Sequence, residues 1–204
     1  MKPAPFIYHA PQSLGDALAL LATHNDAARP LAGGQSLVPM MNTRVARPAH
    51  LVDINALAEL QFSRETPDTV EIGALVRHRE IEHSPLLRRR CPILPAVAAT
   101  IGHLPIRERG TIGGSLALAD PAAQWPMLAL LFDARIDLAT STAQRSVAAR
   151  DFFVGVYTTA AAAGELLTAV AFPYRQGGEG WGFRNFTRRH GDFAIVSVAA
   201  TVLL

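Results

Sequence analysis

Two short stretches with paired glycines place the strongest constraint on how this chain folds. The first, AGGQSLV, spans residues 32–38, and the second, TIGGSL, spans residues 111–116. Glycine is used where the backbone takes a positive φ angle or where another group approaches closely, and elsewhere it costs conformational entropy. Two such stretches therefore predict either two tight turns or two parts of one ligand site.

The paired glycines match neither of the common nucleotide-binding motifs. No Gly-Lys-Ser/Thr follows them, as in a P-loop, and they lack the three spaced glycines of the dinucleotide fingerprint. They offer backbone N–H groups with no Cβ beside them, next to the hydroxyl groups of Ser36, Thr111 and Ser115. Successive N–H groups in a turn form an anion-binding concavity. From the residues alone, two purely structural turns and one shared pyrophosphate site remain open alternatives.

The composition excludes several classes of protein. Half of the 204 residues are hydrophobic and the net charge is +2, which fits one globular domain or two small ones. The densest basic runs, at 88–90 and 188–190, are too short to predict nucleic-acid binding. The single cysteine, Cys91, excludes a disulfide framework and a cysteine-ligated zinc or iron–sulfur site within this chain. Since neither a signal peptide nor a membrane span is evident, we expect a cytoplasmic protein.

The first part of the chain predicts a small α/β unit. Ser13, with Asp16 three residues later, indicates a helix N-cap. Apolar residues follow at helical spacing, and Asn25 can end the helix. Extended segments at 29–32 and 50–54 place the first glycine pair directly after a strand.

The remainder predicts a larger unit that mixes helices and strands. Strands are predicted at 69–74, 135–139 and 166–172, and helices at 79–90 with an interruption at Pro85, at 92–101 and at 122–132. The second glycine pair is predicted as a turn, and Asp120 as a possible cap of the helix after Pro121.

Two predictions concern the end of the chain. The polar, glycine-rich segment 176–180 predicts a mobile loop. The apolar run 193–204 predicts a strand that needs a cover. We expect either that the chain is truncated there or that this strand pairs with something outside the sequence.

Four motifs, in this order, resemble the FAD-binding medium subunits of molybdenum hydroxylases, the group containing carbon monoxide dehydrogenase and xanthine dehydrogenase. The motifs are Phe6-x-Tyr8-x-x-Pro11-x-Ser13-Leu14, Ala32-Gly33-Gly34-Gln35-Ser36-Leu37, Thr111-Ile112-Gly113-Gly114-Ser115 followed by Ala119-Asp120-Pro121-Ala122, and Arg189-His190-Gly191-Asp192-Phe193-Ala194. Four ordered matches from residue 6 to about residue 200 are much more specific than any one of them.

The resemblance implies an α+β fold of two subdomains that enclose an extended FAD, similar to the vanillyl-alcohol-oxidase (PCMH-type) flavoproteins. The implied subdomains are 1–56 and 57–204, and the family's further C-terminal domain is missing beyond Leu204. Both glycine segments would then face the pyrophosphate of FAD. The residues that the resemblance assigns to the cofactor are Leu31, Ala32, Gly33, Gly34, Gln35, Ser36, Leu37, Ile101, His103, Thr111, Gly113, Gly114, Ser115, Asp120, Gln124, Leu166, Leu167 and Arg184.

Some of these assignments have structural alternatives. His103 could be a loop histidine without a flavin contact, and Leu166 and Leu167 could belong to the core. Arg184 stands where xanthine-oxidising members often have lysine, and arginine keeps the charge but not the shape. For Asp192 the neighbouring Gly191 favours a role in a turn.

The function implied by the resemblance is electron transfer. In the family, a large molybdopterin-containing subunit hydroxylates the substrate, a small subunit carries two [2Fe-2S] clusters, and FAD passes the electrons to an external acceptor. No residue of this chain would itself be catalytic or bind a metal. The alternatives are a stand-alone FAD-dependent oxidase or dehydrogenase and a non-catalytic binding module.

Overall fold

A computed structural model of the chain describes residues 2–174 and 179–203. The N-terminal part is a small parallel sheet with helices in its connections. Its elements are β1 (Ile7–His9), α1 (Leu14–His24), β2 (Ala28–Leu31), α2 (Leu37–Asn42) and β3 (His50–Asp53). The strand order is β1-β3-β2, with both pairs parallel. This α/β unit confirms the prediction, including the first glycine pair directly after β2.

Helix α1 forms where its capping residues and apolar spacing predict it. Ser13 is the N-cap, and its Oγ accepts the backbone N–H of Asp16 at 3.1 Å and donates to the Asp16 carboxylate at 2.7 Å. The buried face of the helix, with Leu18 and Leu21, packs over the sheet. The helix ends at Asn25, which takes a φ angle of +41°.

The rest of the chain is built around a five-stranded antiparallel sheet, with helices on and beside it. In chain order the elements are β4 (Ser63–Glu65), β5 (Thr69–Gly73), α3 (His78–His83), α4 (Pro85–Arg90), α5 (Ile93–Ala98), α6 (Leu104–Arg109), α7 (Ile112–Leu118), α8 (Gln124–Leu131), β6 (Arg135–Ala139), β7 (Gln144–Ala148), α9 (Ala149–Phe152), β8 (Phe153–Gly155), β9 (Thr158–Thr159), β10 (Leu166–Pro173), β11 (Glu179–Phe186) and β12 (Val196–Leu203). The sheet order is β4-β5-β10-β6-β7, while β8-β9 and β11-β12 form separate two-stranded ribbons.

Strand β10 lies in the middle of the large sheet and pairs with β5 and β6. Its register against β6 shifts between Leu167 and Ala169, which marks a bulge. The carbonyl of Thr168, at this bulge, accepts the N–H of Ala74 just after β5. The bulge therefore ties the start of β10 to the segment that leads into α3.

The buried apolar residues form two clusters. The larger one is drawn from the large sheet and its helices and includes Trp125, Phe152 and Phe172. The smaller one lies under α1 and the parallel sheet, and it also takes Leu75, Ala139 and Leu166 from the larger part. The two parts of the chain thus share apolar contacts where they meet.

Most predicted elements occur, but the second glycine pair does not form a turn. Gly113 and Gly114 lie in the first turn of α7, and neither has a positive φ angle. The prediction was wrong because Thr111 caps a helix at this point, with its Oγ accepting the N–H of Gly114 at 3.1 Å. Asp120 is not a helix cap either, since α8 begins later with Ala123 as its N-cap.

The C-terminal strand finds a partner within the chain. Strand β12 pairs along its length with β11 in an antiparallel ribbon. The loop predicted at 176–180 falls largely outside the described residues, and positions 179 and 180 begin β11. Gly191, with a φ angle of +85°, and Asp192, whose N–H bonds the carbonyl of Arg189, form the predicted turn before β12.

Several elements were not predicted from the sequence, among them helix α6 and the edge strand β7. In the described part of the chain, no helix has the length and apolarity needed to cross a membrane.

Candidate functional site

The first glycine segment turns the chain from β2 into α2. Gly34 has a φ angle of +70°, which glycine adopts without strain. The backbone N–H groups of residues 33–37 donate to no protein acceptor in the described part of the chain. Helix α2 starts at Leu37 without a side-chain cap from Ser36. The segment therefore presents a row of N–H groups that a bound anion could accept.

Side-chain donors behind this segment fix the direction of its peptides. Asn55 donates from Nδ2 to the carbonyls of Leu31 and Ala32, at 3.2 and 2.8 Å. Gln35 donates from Nε2 to the carbonyl of Gly33 at 3.0 Å. Because a trans peptide points its N–H opposite to its carbonyl, the N–H groups of Gly33 and Gly34 point away from these donors.

Arg77 continues this network on the far side of Asn55. Its guanidinium donates to Oδ1 of Asn55 at 2.7 Å and also to the carbonyl of Arg109 at the end of α6. Half-burial lowers the pKa of Arg77 from its ordinary value. The guanidinium thereby links the first glycine segment to the helix that leads into the second.

Close contact between the two segments explains the first of the paired glycines. A Cβ on Gly33 would lie 2.3 Å from the carbonyl oxygen of Arg109 and 2.8 Å from Cα of Gly110. Such distances are not possible for a real side chain, so only glycine fits there without moving the backbone. The role of Gly33 is therefore to let the two segments approach each other.

In the second glycine segment, the N–H groups of the two glycines donate hydrogen bonds to protein acceptors. Gly113 donates to the carbonyl of Ala74 at 3.0 Å, and Gly114 donates to Thr111 Oγ1. A Cβ on Gly113 would lie 2.5 Å from Cβ of Ala74, so this glycine lets α7 lie against the end of β5. What α7 offers to a ligand is the half-buried hydroxyl of Ser115, which donates to no protein atom in the described ranges.

Both segments line one cleft of about 430 Å³. It is mostly apolar with a few polar groups, as small-molecule sites usually are. The predicted cofactor residues that line it are Ala32, Gly33, Gly34, Gln35, Ser36, Leu37, Ile101, Thr111, Gly113, Gly114, Ser115, Asp120, Gln124, Leu166 and Leu167. The fourth motif reaches the same cleft through Phe193.

Gln124 is one of the most buried polar residues that line the cleft. Only 5% of the residue is exposed, and in the described part of the chain its amide makes no hydrogen bond. The amide atoms are open to the cleft, since Arg90 Nε is the only fully buried side-chain donor or acceptor without a partner among the described residues, so a ligand in the cleft can reach them. Asp120, nearby on the wall, already accepts the N–H of Ala122 and the hydroxyl of Tyr157, at 2.8 and 3.1 Å.

Three predicted cofactor residues lie elsewhere. Leu31 lines a second hollow of about 370 Å³, which also contacts Gly33 and Gly34 and includes Asp53. His103 caps α6 and packs against the turn at Gly191, where a Cβ would come within 2.6 Å of its ring. Arg184 is exposed on β11 and donates to the carbonyl of its neighbour Phe183 at 2.8 Å.

The second hollow contains a carboxylate. Asp53 accepts the hydroxyl of Tyr8 at 2.5 Å and the backbone N–H of Asn55 at 2.9 Å. Burial alone would raise the pKa of Asp53, but the hydrogen bonds from Tyr8 and Asn55 outweigh it and hold the pKa below its usual value. Asp53 is therefore ionised at neutral pH and orients Asn55.

Sequence reasoning missed the residues that support the site. Asn55, directly after the extended segment 50–54, and His78, which lines the cleft, carried no predicted role in the site. Their contacts join residues that are distant in the sequence, such as Arg77 and Asn55. No local pattern of residues signals such pairs.

A sequence profile described as the FAD-binding domain in molybdopterin dehydrogenase matches residues 4–175. This chain belongs to that family. The resemblance drawn from four short motifs is thereby confirmed. The protein is an FAD-binding subunit of an oxidoreductase complex.

Curated relatives match over the whole chain. The alpha subunit of the 6-hydroxypseudooxynicotine dehydrogenase complex from Paenarthrobacter nicotinovorans is 43% identical over 204 residues, which is 100% of this chain and 69% of that protein. The medium chain of glyceraldehyde dehydrogenase from Sulfolobus acidocaldarius is 40% identical over 204 residues, 100% of this chain and 72% of that protein.

Solved structures agree with the sequence relatives. A crystal structure of the Cu,Mo-CO dehydrogenase superposes with a TM-score of 0.97 at 40% identity, covering 100% of this chain and 71% of that one. A quinoline 2-oxidoreductase from Pseudomonas putida superposes with a TM-score of 0.94 at 40% identity, covering 98% of this chain and 70% of that one. The mixed helix-and-strand fold is therefore the FAD-binding fold of these subunits.

The residues of the cleft fit FAD. The free N–H groups of residues 33–37 suit a pyrophosphate, and the unpaired amide of Gln124 and the hydroxyl of Ser115 suit the hydroxyl groups of the cofactor. Ile101, Leu166 and Leu167 supply apolar wall for aromatic rings. The chain thus has donors and apolar surface of the kinds that a dinucleotide with a flavin ring requires.

Proposed function

We propose that this chain holds FAD in the cleft between its two glycine segments and relays electrons within a molybdenum-containing dehydrogenase. The observation that carries the proposal is the convergence of unpaired donors on one cleft, from the backbone of residues 33–37 and from Gln124. Bound FAD supplies the ability to exchange electrons one or two at a time.

The roles of the protein groups follow from their positions. The backbone of residues 33–37 binds the pyrophosphate, and Asn55 keeps those peptides oriented. Gln124 and Ser115 hold hydroxyl groups of the cofactor, while Leu166 and Leu167 exclude water from one side of the rings. The resemblance also assigns His103 and Arg184 to the cofactor. Neither residue lines the cleft, so its position does not support that role.

We further propose that residues 1–56 and 57–204 act as two subdomains, in a fold similar to the PCMH-type flavoproteins. The support is that each part has its own sheet and that the buried residues fall into two clusters. The cleft is lined by both parts, as expected of a ligand that bridges them.

The partners we propose are a molybdopterin-containing large subunit and a small subunit with two [2Fe-2S] clusters. The names of two relatives, an alpha subunit of a dehydrogenase complex and a medium chain, indicate multi-subunit enzymes. The name of one solved enzyme, the Cu,Mo-CO dehydrogenase, includes molybdenum. The single cysteine of this chain cannot supply the ligands of an iron–sulfur cluster. Electrons would then enter from the partner's clusters and leave to an external acceptor.

The absorption spectrum of the purified chain tests this proposal. We expect flavin bands, with one FAD released per chain on denaturation. A colourless protein that also takes up no added FAD would overturn the assignment of the cleft. Purification from the native host separates the relay from a stand-alone enzyme, since the relay predicts two further subunits, whereas a single species that oxidises substrate contradicts it.

A further inference from the structure

Three histidine side chains meet on the small sheet, away from the cofactor cleft. His9 is the last residue of β1, His24 the last of α1, and His50 the first of β3. One ring nitrogen of each lies within 4.8 Å of the others. His9 Nε2 and His50 Nδ1 are 2.9 Å apart, and the rings of His24 and His50 stack with their centroids 3.6 Å apart. The cofactor site uses none of these rings.

The topology explains why these residues meet. In the parallel pairing of β1 with β3, Ile7 lies opposite His50 and His9 lies opposite Val52. Alternate residues of a strand share a face, so His9 and His50 are on the same face as the buried Val52. Helix α1 packs on that face, and its last turn brings His24 to the two rings.

Three imidazoles at one point are a ligand set for first-row divalent metals. Zinc–nitrogen bonds of about 2.0–2.1 Å in a tetrahedral site place ligand nitrogens roughly 3.4 Å apart. The observed separations bracket this value, from 2.9 Å to at most 4.8 Å. The rings of His24 and His50 are stacked, so they would have to tilt apart to aim their lone pairs at one ion, leaving a fourth position for water.

Imidazole binds a metal ion in its neutral form. All three side chains are half-buried. Lost solvation, and then the charges that His24 and His9 would carry, lower the pKa of His50. A metal ion would replace the contact between His9 and His50 with bonds to a shared centre.

We propose that His9, His24 and His50 bind one divalent zinc-like metal ion that clamps β1, α1 and β3 together. The site is structural because of its position. Ala28 pairs with His50 and Leu31 pairs with Asp53, so the cluster lies at the opposite end of the sheet from the glycine segment, about 10 Å away along the strands. Metal binding and FAD binding should therefore be independent.

Calorimetric titration of the chelator-treated full chain with ZnCl₂ tests the site. We expect one zinc ion per chain and a rise in the midpoint of thermal unfolding when zinc is added. Each of His9→Gln, His24→Gln and His50→Gln should weaken zinc binding at least tenfold. The matched control His83→Gln, at an exposed histidine of α3, should bind zinc as the wild type does.

Two results would overturn the proposal: no saturable zinc binding by the wild-type chain, or binding of equal strength in the cluster variants. Circular dichroism and FAD uptake report whether each variant is folded, and the three substitutions are independent, so a variant that misfolds leaves the others to decide. Because FAD uptake is measured separately, failure of the zinc site leaves the cofactor assignment unaffected, and the reverse also holds.

Discussion

Trp125 donates its indole N–H to Nδ1 of His78 at 3.1 Å, and both side chains are buried beside the cleft between the glycine segments. Since Nδ1 accepts this bond, the neutral ring carries its proton on Nε2. Burial, followed by the positive charges of Arg77 and Arg107, lowers the pKa of His78 to about 4. His78 is therefore neutral at physiological pH, and its environment opposes protonation.

The buried His78 should make stability depend on pH. Its pKa of about 4 in the folded chain lies below the ordinary value of 6.5, so the unfolded chain binds more protons between these values. The contribution to the free energy of unfolding is constant above pH 6.5 and falls by about 3 kcal/mol as the pH is lowered to 4. Urea unfolding at several pH values measures it.

The variant His78→Asn isolates this effect. Asparagine keeps an acceptor for Trp125 but does not titrate, so the stability of the wild type relative to the variant should rise by about 3 kcal/mol from pH 4 to pH 6.5 and then stay constant. His83→Asn, at an exposed position, should follow the wild-type curve. Parallel curves for the wild type and His78→Asn would show that burial does not perturb His78.

Gln124 should have opposite effects on the free chain and on the FAD complex. The amide is open to the cleft and has no protein partner, so Gln124→Leu removes no hydrogen bond within the chain and should leave the FAD-free chain at least as stable as before. The same change should weaken FAD binding roughly 10- to 100-fold, through the loss of about 1–3 kcal/mol of hydrogen bonding. Fluorescence titration with FAD and urea unfolding measure the two quantities.

A matched control for this change is Gln144→Leu, on the exposed edge strand β7. It should alter neither FAD affinity nor stability by much. Wild-type FAD affinity in Gln124→Leu would mean that the amide does not contact the cofactor.

Gly33→Ala should destabilise the chain as well as weaken FAD binding. The new methyl group would collide with the backbone of Arg109 and Gly110, and neither can yield without moving α6. We expect a loss of about 1–3 kcal/mol of stability, as for other overpacked sites. Gly182→Ala is the control, because a Cβ there has no neighbour within 4 Å. Unfolding curves of the two FAD-free variants that coincide would contradict the close contact.

The sequence predicted well what depends on neighbours along the chain. Helix α1 follows from Ser13 and the spacing of its apolar residues, and β2 with its glycine turn follows from the extended run before Gly33. These features rest on local capping and local side-chain alternation. They could be predicted because their signals lie within the segments themselves, although β2 still needs β3 as its hydrogen-bonded partner.

The second glycine segment shows where local reasoning fails. Gly113 is needed not for a turn but because α7 lies against Ala74, some forty positions earlier. The same holds for the donors that orient the first segment, since Asn55 and Arg77 act on carbonyls of distant residues. Most of the residues that the family motifs assign to FAD line one cleft, but the N–H groups of Gly113 and Gly114 bond within the protein and are not offered to a ligand.

Asn55 gives the final prediction, since it orients the first glycine segment without lining the large cleft. Asn55→Ala removes the donors to the carbonyls of Leu31 and Ala32 and the acceptor of Arg77. The peptides of the segment are then free to rotate, so we expect FAD affinity to fall about tenfold and the FAD-free chain to lose about 1–3 kcal/mol of stability. Gln61→Ala, at an exposed amide, should leave both unchanged. The loss of stability distinguishes Asn55, which acts through the backbone, from Gln124, whose removal should not destabilise the free chain. Unchanged FAD affinity in Asn55→Ala would show that the segment holds its peptides without this amide.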